Sequence, residues 1–246
     1  MQFFYSFKST TNQSLEPLNG HTIVIKREDL IHPIVSGNKF RKLKYVFKEI
    51  ESFSNSVVLT FGGAFSNHLA AVAAAGKLAN IQTIGIVRGE EWENKIASSS
   101  TLSYCSDQGM KIYCVSRAMY DLKEASELVH NLKSLYLNLR IIPEGGTETL
   151  AVKGCEEILQ KEDEHFDVIC SSVGTGGTLA GLINSSVSSQ VIIGFNALKN
   201  PEVENQISQY TENQNWRIEA HYTFGGYAKV NDTLISFMNS FYHILE

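Results

Sequence analysis

Short runs of β-forming residues alternate with helical stretches along most of this 246-residue chain. Several of the runs, among them VVLT, DVIC and VIIGF, are continuously apolar and show no alternation between apolar and polar residues. Continuous apolar strands are typical of sheets with helices on both faces, and β and α units that alternate at this spacing form parallel sheets with right-handed crossovers. The pattern therefore predicts an α/β fold.

The predicted elements cover most of the chain. The strands are His21–Lys26, Ser56–Phe61, Gln82–Val87, Lys111–Val115, Leu139–Ile142, Phe166–Ser171, Gln190–Phe195 and Trp216–Tyr222. The helices are Lys39–Phe53, Ser66–Leu78, Ala118–Leu137, Thr149–Lys161, Thr178–Ser185 and Glu202–Tyr210.

Composition and charge argue against several classes of function. The formal net charge is −5 and basic residues form no long block, so nucleic acid is not expected as a partner. No run of about 18 uninterrupted apolar residues occurs, and no basic segment followed by an apolar run opens the chain, so we expect neither a membrane span nor a secretion signal and place the protein in the cytoplasm. The four cysteines form no CxxC pair and the seven histidines no HExxH pair, so neither disulfides nor a metal site are expected.

A first glycine-rich segment, Ser172–Thr178, lies between the predicted strand DVICS and the helical LAGLI. In parallel α/β sheets ligands bind beyond the carboxyl ends of strands, and glycines let backbone amides at a helix start approach an anion. These features predict a site for a dianionic phosphate. Leu179 occupies the third glycine position of the dinucleotide motif GxGxxG and no GK[ST] follows, which disfavours dinucleotide and Walker sites. The alternative is a tight turn without a ligand.

A second glycine-rich segment, Phe61–His68, follows the strand VVLTF and precedes the helical LAAVAAAGKLA. Ser66 is a good helix N-cap, and a capped helix without any ligand is the simpler alternative. Capping needs only one polar side chain, however, and here Ser66, Asn67 and His68 follow one another after a double glycine. That crowding favours a site for a carboxylate or phenolate oxygen.

A third segment contains Lys39, which follows a Gly-Asn turn and begins a helix. Nearby cations and a helix N-terminus lower the pKa of a lysine, and the neutral amine that results is what carbonyl chemistry requires. The same helix carries a basic set consisting of Arg41, Lys42, Lys44 and Lys48. The alternative for this set is a solvated helix face.

In this order, SGNKFRKL, GGAFSNHLAAVAAAG, PEGGT and SSVGTGGTLAGL resemble the 1-aminocyclopropane-1-carboxylate deaminase and D-cysteine desulfhydrase family, pyridoxal-phosphate enzymes of the tryptophan-synthase-β fold type. The resemblance runs from about Ile23 to Tyr227. It implies pyridoxal 5'-phosphate as cofactor, held by Lys39 as an internal aldimine.

The resemblance also implies roles for other residues. Asn67 would hydrogen-bond the phenolic oxygen of the cofactor, and Ser66, Asn67 and His68 would bind the substrate, with Ser66 at its carboxylate. The cofactor phosphate would lie against Gly174, Thr175, Gly176, Gly177 and Thr178. Tyr227, in FGGYAK, stands where the family has an active-site tyrosine, and the alternative for it is an ordinary loop aromatic.

The fold implied by the resemblance is fold type II, with two open, twisted, mostly parallel sheets flanked by helices. Residues 1–45 and 142–246 would form the large cofactor-binding domain, and residues 46–141 a small domain inserted into it. The implied activity is that of a deaminase or lyase that acts on a small amino acid of the D-cysteine or 1-aminocyclopropane-1-carboxylate type and releases ammonia and a 2-oxo acid. The expected partners are that amino acid and a second copy of the chain in a homodimer, with neither nucleic acid nor membrane.

Family members continue past the equivalent of Glu246 with a segment that faces the cofactor, so we expect a C-terminal segment to be missing here. That expectation supports a second hypothesis, a non-catalytic protein that binds pyridoxal phosphate or another phosphate ligand. A dinucleotide-binding module is a third hypothesis, disfavoured by Leu179.

Overall fold

A computed structural model describes Phe4, residues 10–226 and residues 229–245 of the chain. Side chains are described as far as Tyr242. Within these ranges no helix is long and apolar enough to span a membrane. The described residues form two compact units. Unit one consists of Phe4 and residues 31–154, and unit two of residues 10–30 and the described residues from 155 onward.

The strands are β1 (Asn12–Ser14), β2 (Val24–Lys26), β3 (Val57–Gly63), β4 (Gln82–Arg88), β5 (Lys111–Val115), β6 (Leu139–Ile142), β7 (Val168–Val173), β8 (Val191–Asn196) and β9 (Trp216–Glu219). The α-helices are α1 (Asn38–Ile50), α2 (Asn67–Ala79), α3 (Ser100–Asp107), α4 (Arg117–Asp121), α5 (Glu127–Leu135), α6 (Thr149–Cys155), α7 (Gly177–Ser185), α8 (Val203–Ser208) and α9 (Asp232–Leu245).

Unit one is built on a four-stranded parallel sheet in the order β5-β4-β3-β6. Val57, at the start of the central strand β3, is in register with Gln82 of β4 and with Leu139 of β6. The first six residues of β3 are buried, as a continuous apolar run requires when both faces of a sheet are covered. The predicted parallel α/β architecture is confirmed.

The helix predicted over Ala118–Leu137 is wrong as a single element. The chain forms α4, then a short 3-10 turn, then α5. Lys123 has a φ of 47°, outside the helical region, and Ser126 starts α5 by accepting a hydrogen bond from the Val129 amide. Apolar periodicity continues across this break, which is why the sequence pattern missed it.

Unit two contains a parallel sheet in the order β7-β8-β9 and an antiparallel pair, β1 with β2. The predicted strand His21–Lys26 is shorter in the structure, where β2 begins only at Val24. Its partner β1 was not predicted. In β7, Val168, Cys170 and Ser172 are exposed. The apolar run DVIC is therefore covered on one face only within the described part of the chain.

A buried carboxylate ties the β1–β2 pair to the rest of unit two. Asp163 is 2% exposed and accepts hydrogen bonds from Lys26 Nζ at 2.6 Å and from Asn12 Nδ2 at 2.7 Å. The Gln160 amide donates to the same carboxylate at 2.8 Å. Burial raises the pKa of Asp163, but the Lys26, Asn12 and Gln160 contacts outweigh it and hold the pKa below the usual value. The Asn12 and Lys26 contacts therefore hold both strands of the hairpin to Asp163.

The domain boundaries inferred from the resemblance stay a prediction. The compact units group residues 31–45 and 142–154 with the four-stranded sheet, whereas the prediction placed them in the large domain.

Candidate active site

Lys39 is the second residue of α1 and is partly buried. The solvated-face alternative for the basic residues that follow it is wrong for three of the four. Arg41, Lys42 and Lys44 are all buried, and only Lys48 is exposed. Burying a cation is costly unless it is paired or hydrogen-bonded. The buried cations of α1 therefore require polar partners in the folded protein.

Lys42 is only 2% exposed and reaches the PEGGT segment, residues 143–147. Its Nζ donates to the Gly145 carbonyl oxygen at 2.9 Å and to Thr147 Oγ1 at 3.0 Å. The segment is anchored on its other side by Glu144, which accepts from the Tyr120 hydroxyl at 2.7 Å and from Lys123 Nζ at 2.8 Å. The PEGGT segment therefore connects the Lys39 helix to α4 and the turn that follows it.

The segment that follows β3 ends in a capped helix. Ser66 Oγ accepts a hydrogen bond from the Leu69 amide at 3.3 Å, which confirms Ser66 as the N-cap of α2. The Asn67 side chain is exposed at the first helical position, and Ser66 is partly exposed. The first-turn amides of a helix have no intrahelical partner and carry its positive dipole end, so this helix start can accept a carboxylate.

His68 points the other way, into the core of unit one, and is 3% exposed. Its Nε2 lies 2.9 Å from Thr60 Oγ1, whose hydroxyl also lies 2.9 Å from the Ile142 carbonyl oxygen. A carbonyl can only accept, so Thr60 donates to Ile142 and accepts from His68, which puts the proton of the neutral imidazole on Nε2. Gly146 lies so close to the ring that a Cβ there would be 2.8 Å from His68 Cε1.

The pKa of His68 lies well below its usual value. Burial is the main cause, and the positive charges of Lys39 and Lys42 add to it, while the Pro143 carbonyl opposes the shift. His68 Nδ1 has no hydrogen-bond partner among the described residues. The ring is therefore a neutral, buried group close to the Lys39 helix, and it has no direct path to a ligand from this position.

This arrangement predicts how stability depends on pH. The folded protein keeps His68 neutral, whereas the unfolded chain takes up a proton below about pH 6.5, so acid favours the unfolded state. Between pH 7 and pH 5 we expect protonation of His68 in the unfolded chain to lower the free energy of unfolding, by at most about 2 kcal/mol, measured by urea titration. His68→Gln should remove this part of the dependence, while His165→Gln, at an exposed position, should leave it. Equal pH slopes in all three proteins would refute the assignment.

The glycine-rich segment of unit two joins β7 to α7. Gly176 is the N-cap of α7 and has a φ of 82°, in the left-handed region that favours glycine. A Cβ there would be 2.7 Å from Ile207 Cγ1, so the backbone of the segment lies close against α8. Gly174, Thr175 and Thr178 are partly exposed, while Gly176 and Gly177 are buried.

The predicted site residues are divided between the two units. Lys39, Ser66, Asn67 and His68 lie in unit one, and Gly174–Thr178 lies in unit two. Both glycine-rich segments follow the carboxyl end of a parallel strand, β3 and β7. Tyr227 lies outside the described residues.

Sequence reasoning missed the contacts of Thr60 and Lys42. A threonine within the apolar run VVLTF was the available signal for the first. The second depends on residues about a hundred positions away in the chain, for which the sequence offers no local signal.

This chain belongs to the pyridoxal-phosphate dependent enzyme family, whose model it matches over residues 10–211. Its cofactor is pyridoxal phosphate, as the resemblance implied.

The chain is 28% identical over 228 residues to a protein of Pyrococcus horikoshii that carries the provisional name 1-aminocyclopropane-1-carboxylate deaminase, covering 86% of this chain and 69% of the relative. It is 28% identical over 183 residues to the bifunctional D-cysteine desulfhydrase/1-aminocyclopropane-1-carboxylate deaminase of Arabidopsis thaliana, covering 67% of this chain and 45% of the relative. Among solved structures, an ACC deaminase homologue matches with a TM-score of 0.77 and 24% identity, covering 97% of this chain and 81% of that chain. The fold type II architecture is confirmed by this likeness and by that to a Thermus threonine deaminase, with a TM-score of 0.57.

The chain spans 45–69% of the length of the first five curated relatives that it matches.

Each unit, taken by itself, contains residues that suit one part of the cofactor. Unit one offers a partly buried primary amine on the first turn of a packed helix, and unit two offers a glycine-lined helix start suited to a phosphate. In the described residues no group of acidic, histidine or cysteine side chains could hold a metal ion.

Proposed function

We propose that the protein removes ammonia from a small amino acid of the D-cysteine or 1-aminocyclopropane-1-carboxylate type and leaves a 2-oxo acid. The observation that carries the proposal is the position of Lys39, on the first turn of a helix whose next turn buries Arg41, Lys42 and Lys44. A partly buried lysine with other cationic groups nearby is the kind of nucleophile that carbonyl chemistry uses. The names of the relatives support the substrate class.

The cofactor, when bound, supplies an electron sink for charge at the α-carbon. Lys39 Nζ would hold the cofactor and, when not bonded to it, would act as the base for a substrate proton. Asn67 would donate to the phenolic oxygen of the cofactor and border the substrate, while Ser66 and the first-turn amides of α2 would bind the substrate carboxylate. Gly174 to Thr178 would bind the phosphate through backbone amides. Tyr227 is proposed as an active-site tyrosine on the resemblance alone.

The burial of His68 changes the role proposed for it. In place of a direct contact with substrate, we propose that its hydrogen bond to Thr60 fixes the first turn of α2, and with it Ser66 and Asn67. His68 is therefore a positioning residue.

The experiment is a turnover assay on the cofactor-loaded protein. D-cysteine, L-cysteine and 1-aminocyclopropane-1-carboxylate are added separately, and ammonia and 2-oxo acid are measured along with the absorbance of the bound cofactor. Stoichiometric release of both products from at least one substrate supports the proposal. A cofactor spectrum that responds to none of the three refutes it, and a spectrum that responds without product release indicates the non-catalytic alternative.

We also propose a homodimer located in the cytoplasm, on the strength of the family resemblance. Sedimentation velocity of the cofactor-loaded protein tests the dimer, and a single species of monomer mass would contradict it.

A further inference from the structure

Phe65, directly before the N-cap of α2, is held in a fixed turn. The Ser66 amide donates to the Gly63 carbonyl oxygen at 3.0 Å, which closes the turn around Ala64 and Phe65. Ala64 is buried, and its carbonyl oxygen accepts from Ser99 Oγ at 2.6 Å. Ser99 is itself fully buried and caps α3. The backbone that carries Phe65 is therefore anchored on both sides.

The Phe65 ring is 61% exposed although it has an aromatic neighbour. It meets Trp92 in a T-shaped arrangement, with ring centroids 5.4 Å apart and an interplanar angle of 88°. Trp92 is partly buried and packs against the core of unit one, so it gives Phe65 a fixed support. Aromatic pairs attract each other in this T-shaped geometry. The attraction limits the motion of the Phe65 ring.

Single exposed apolar side chains are common on protein surfaces and need no explanation by themselves. Phe65 differs in two respects. Its backbone and ring are both held in place, and it is adjacent in the chain to the partly exposed Ser66 and the exposed Asn67. An aromatic ring held still next to a carboxylate-binding helix start can contact whatever is attached to the α-carbon of the bound amino acid.

We infer that Phe65, supported by Trp92, contacts the side chain of the amino-acid substrate and favours an unbranched apolar side chain. This inference rests on the proposed function, because it requires that the substrate carboxylate bind at the start of α2. It adds a specificity-determining residue to that function and predicts a preference among amino acids. Each methylene group buried against the ring should tighten binding by about threefold.

The test uses the cofactor-loaded protein and the series alanine, 2-aminobutyrate and norvaline, each as both enantiomers. Dissociation constants are measured from the change in cofactor absorbance and, in a Trp216→Phe background, from the fluorescence of Trp92, the one remaining tryptophan. The variants are Phe65→Ala, Phe65→Tyr and the control Phe53→Ala, at a position that is 58% exposed and lies three residues beyond the end of α1.

We expect the dissociation constant to fall by about threefold for each added methylene in the unmodified protein, in Phe53→Ala and in Phe65→Tyr. In Phe65→Ala all three amino acids should bind with nearly equal affinity. A dependence in Phe65→Ala as steep as in Phe53→Ala overturns the inference while leaving the proposed function intact. If no amino acid changes the cofactor absorbance of the unmodified protein, the proposed function fails and the inference fails with it.

Discussion

Replacing Lys39 with alanine is expected to abolish covalent attachment of the cofactor. Lys39 belongs to the rigid first turn of α1, and the side chains that follow it on this helix are held by burial and by the PEGGT segment. Another lysine could take over only by moving this packed helix. Without the amine there is neither a covalent attachment for the cofactor nor a base for the substrate proton, so we expect turnover to fall by at least about a hundredfold.

The measurement is reduction with borohydride followed by peptide mapping. The unmodified protein should yield one reduced adduct on the peptide that contains Lys39, and Lys39→Ala should yield none. Lys48→Ala is the matched control, because Lys48 lies on the same helix and is exposed. Lys42→Ala is a poor control, since it would leave Gly145 and Thr147 without their buried partner. An adduct that maps to any other lysine of the unmodified protein would show the assignment to be mistaken.

The sheets were predictable because a local pattern determines them. All eight predicted strands correspond to observed strands, since short continuous apolar runs such as VVLT and VIIGF are typical of strands buried in a covered sheet. The short strand β1, with the sequence NQS, has no apolar pattern. It is a strand because it pairs with β2, and its Asn12 also binds Asp163, which is 151 positions away. No local signal in the sequence indicates either contact.

The local role of one candidate residue was predictable, but the surroundings of the candidate residues were not. The capping role of Ser66 follows from local chemistry, and the structure confirms it. The burial of Lys42 and the inward orientation of His68 depend on the PEGGT segment and on Thr60, which only the folded chain brings to them. A charged or polar residue type is visible in the sequence. Whether its side chain faces water depends on hydrogen-bond partners that are distant in the chain.

Gly176→Val is expected to lower both the stability of the protein and its affinity for pyridoxal phosphate. Gly176 has a φ of 82°, which costs a β-branched residue about 1–3 kcal/mol. A Cβ at this position would also lie 2.7 Å from Ile207 Cγ1, and Ile207 is fully buried. The side chain therefore acts by pushing the segment away from α8, and the amides proposed to bind phosphate move with it.

We expect the free energy of unfolding to fall by about 3 kcal/mol, with strain and overpacking contributing together. The dissociation constant for pyridoxal phosphate, measured on folded protein, should rise by at least about tenfold, beyond the effect of about 0.5 kcal/mol typical of a surface substitution. Gly174→Ala is the control for stability, because a Cβ there would meet only Leu198 Cδ1, at an ordinary 3.6 Å.

A second substitution separates the two causes of the Gly176→Val effect. Ile207→Ala removes the atoms that the new side chain would strike but leaves the left-handed backbone strained. If the contact matters, Gly176→Val combined with Ile207→Ala should lose less stability than the sum of the two single changes, because neighbouring substitutions that share a contact are not additive. Cofactor affinity should recover in parallel, since the segment can return to its place against α8. A folded Gly176→Val protein that binds pyridoxal phosphate as tightly as the unmodified one would rule out this segment as the phosphate site.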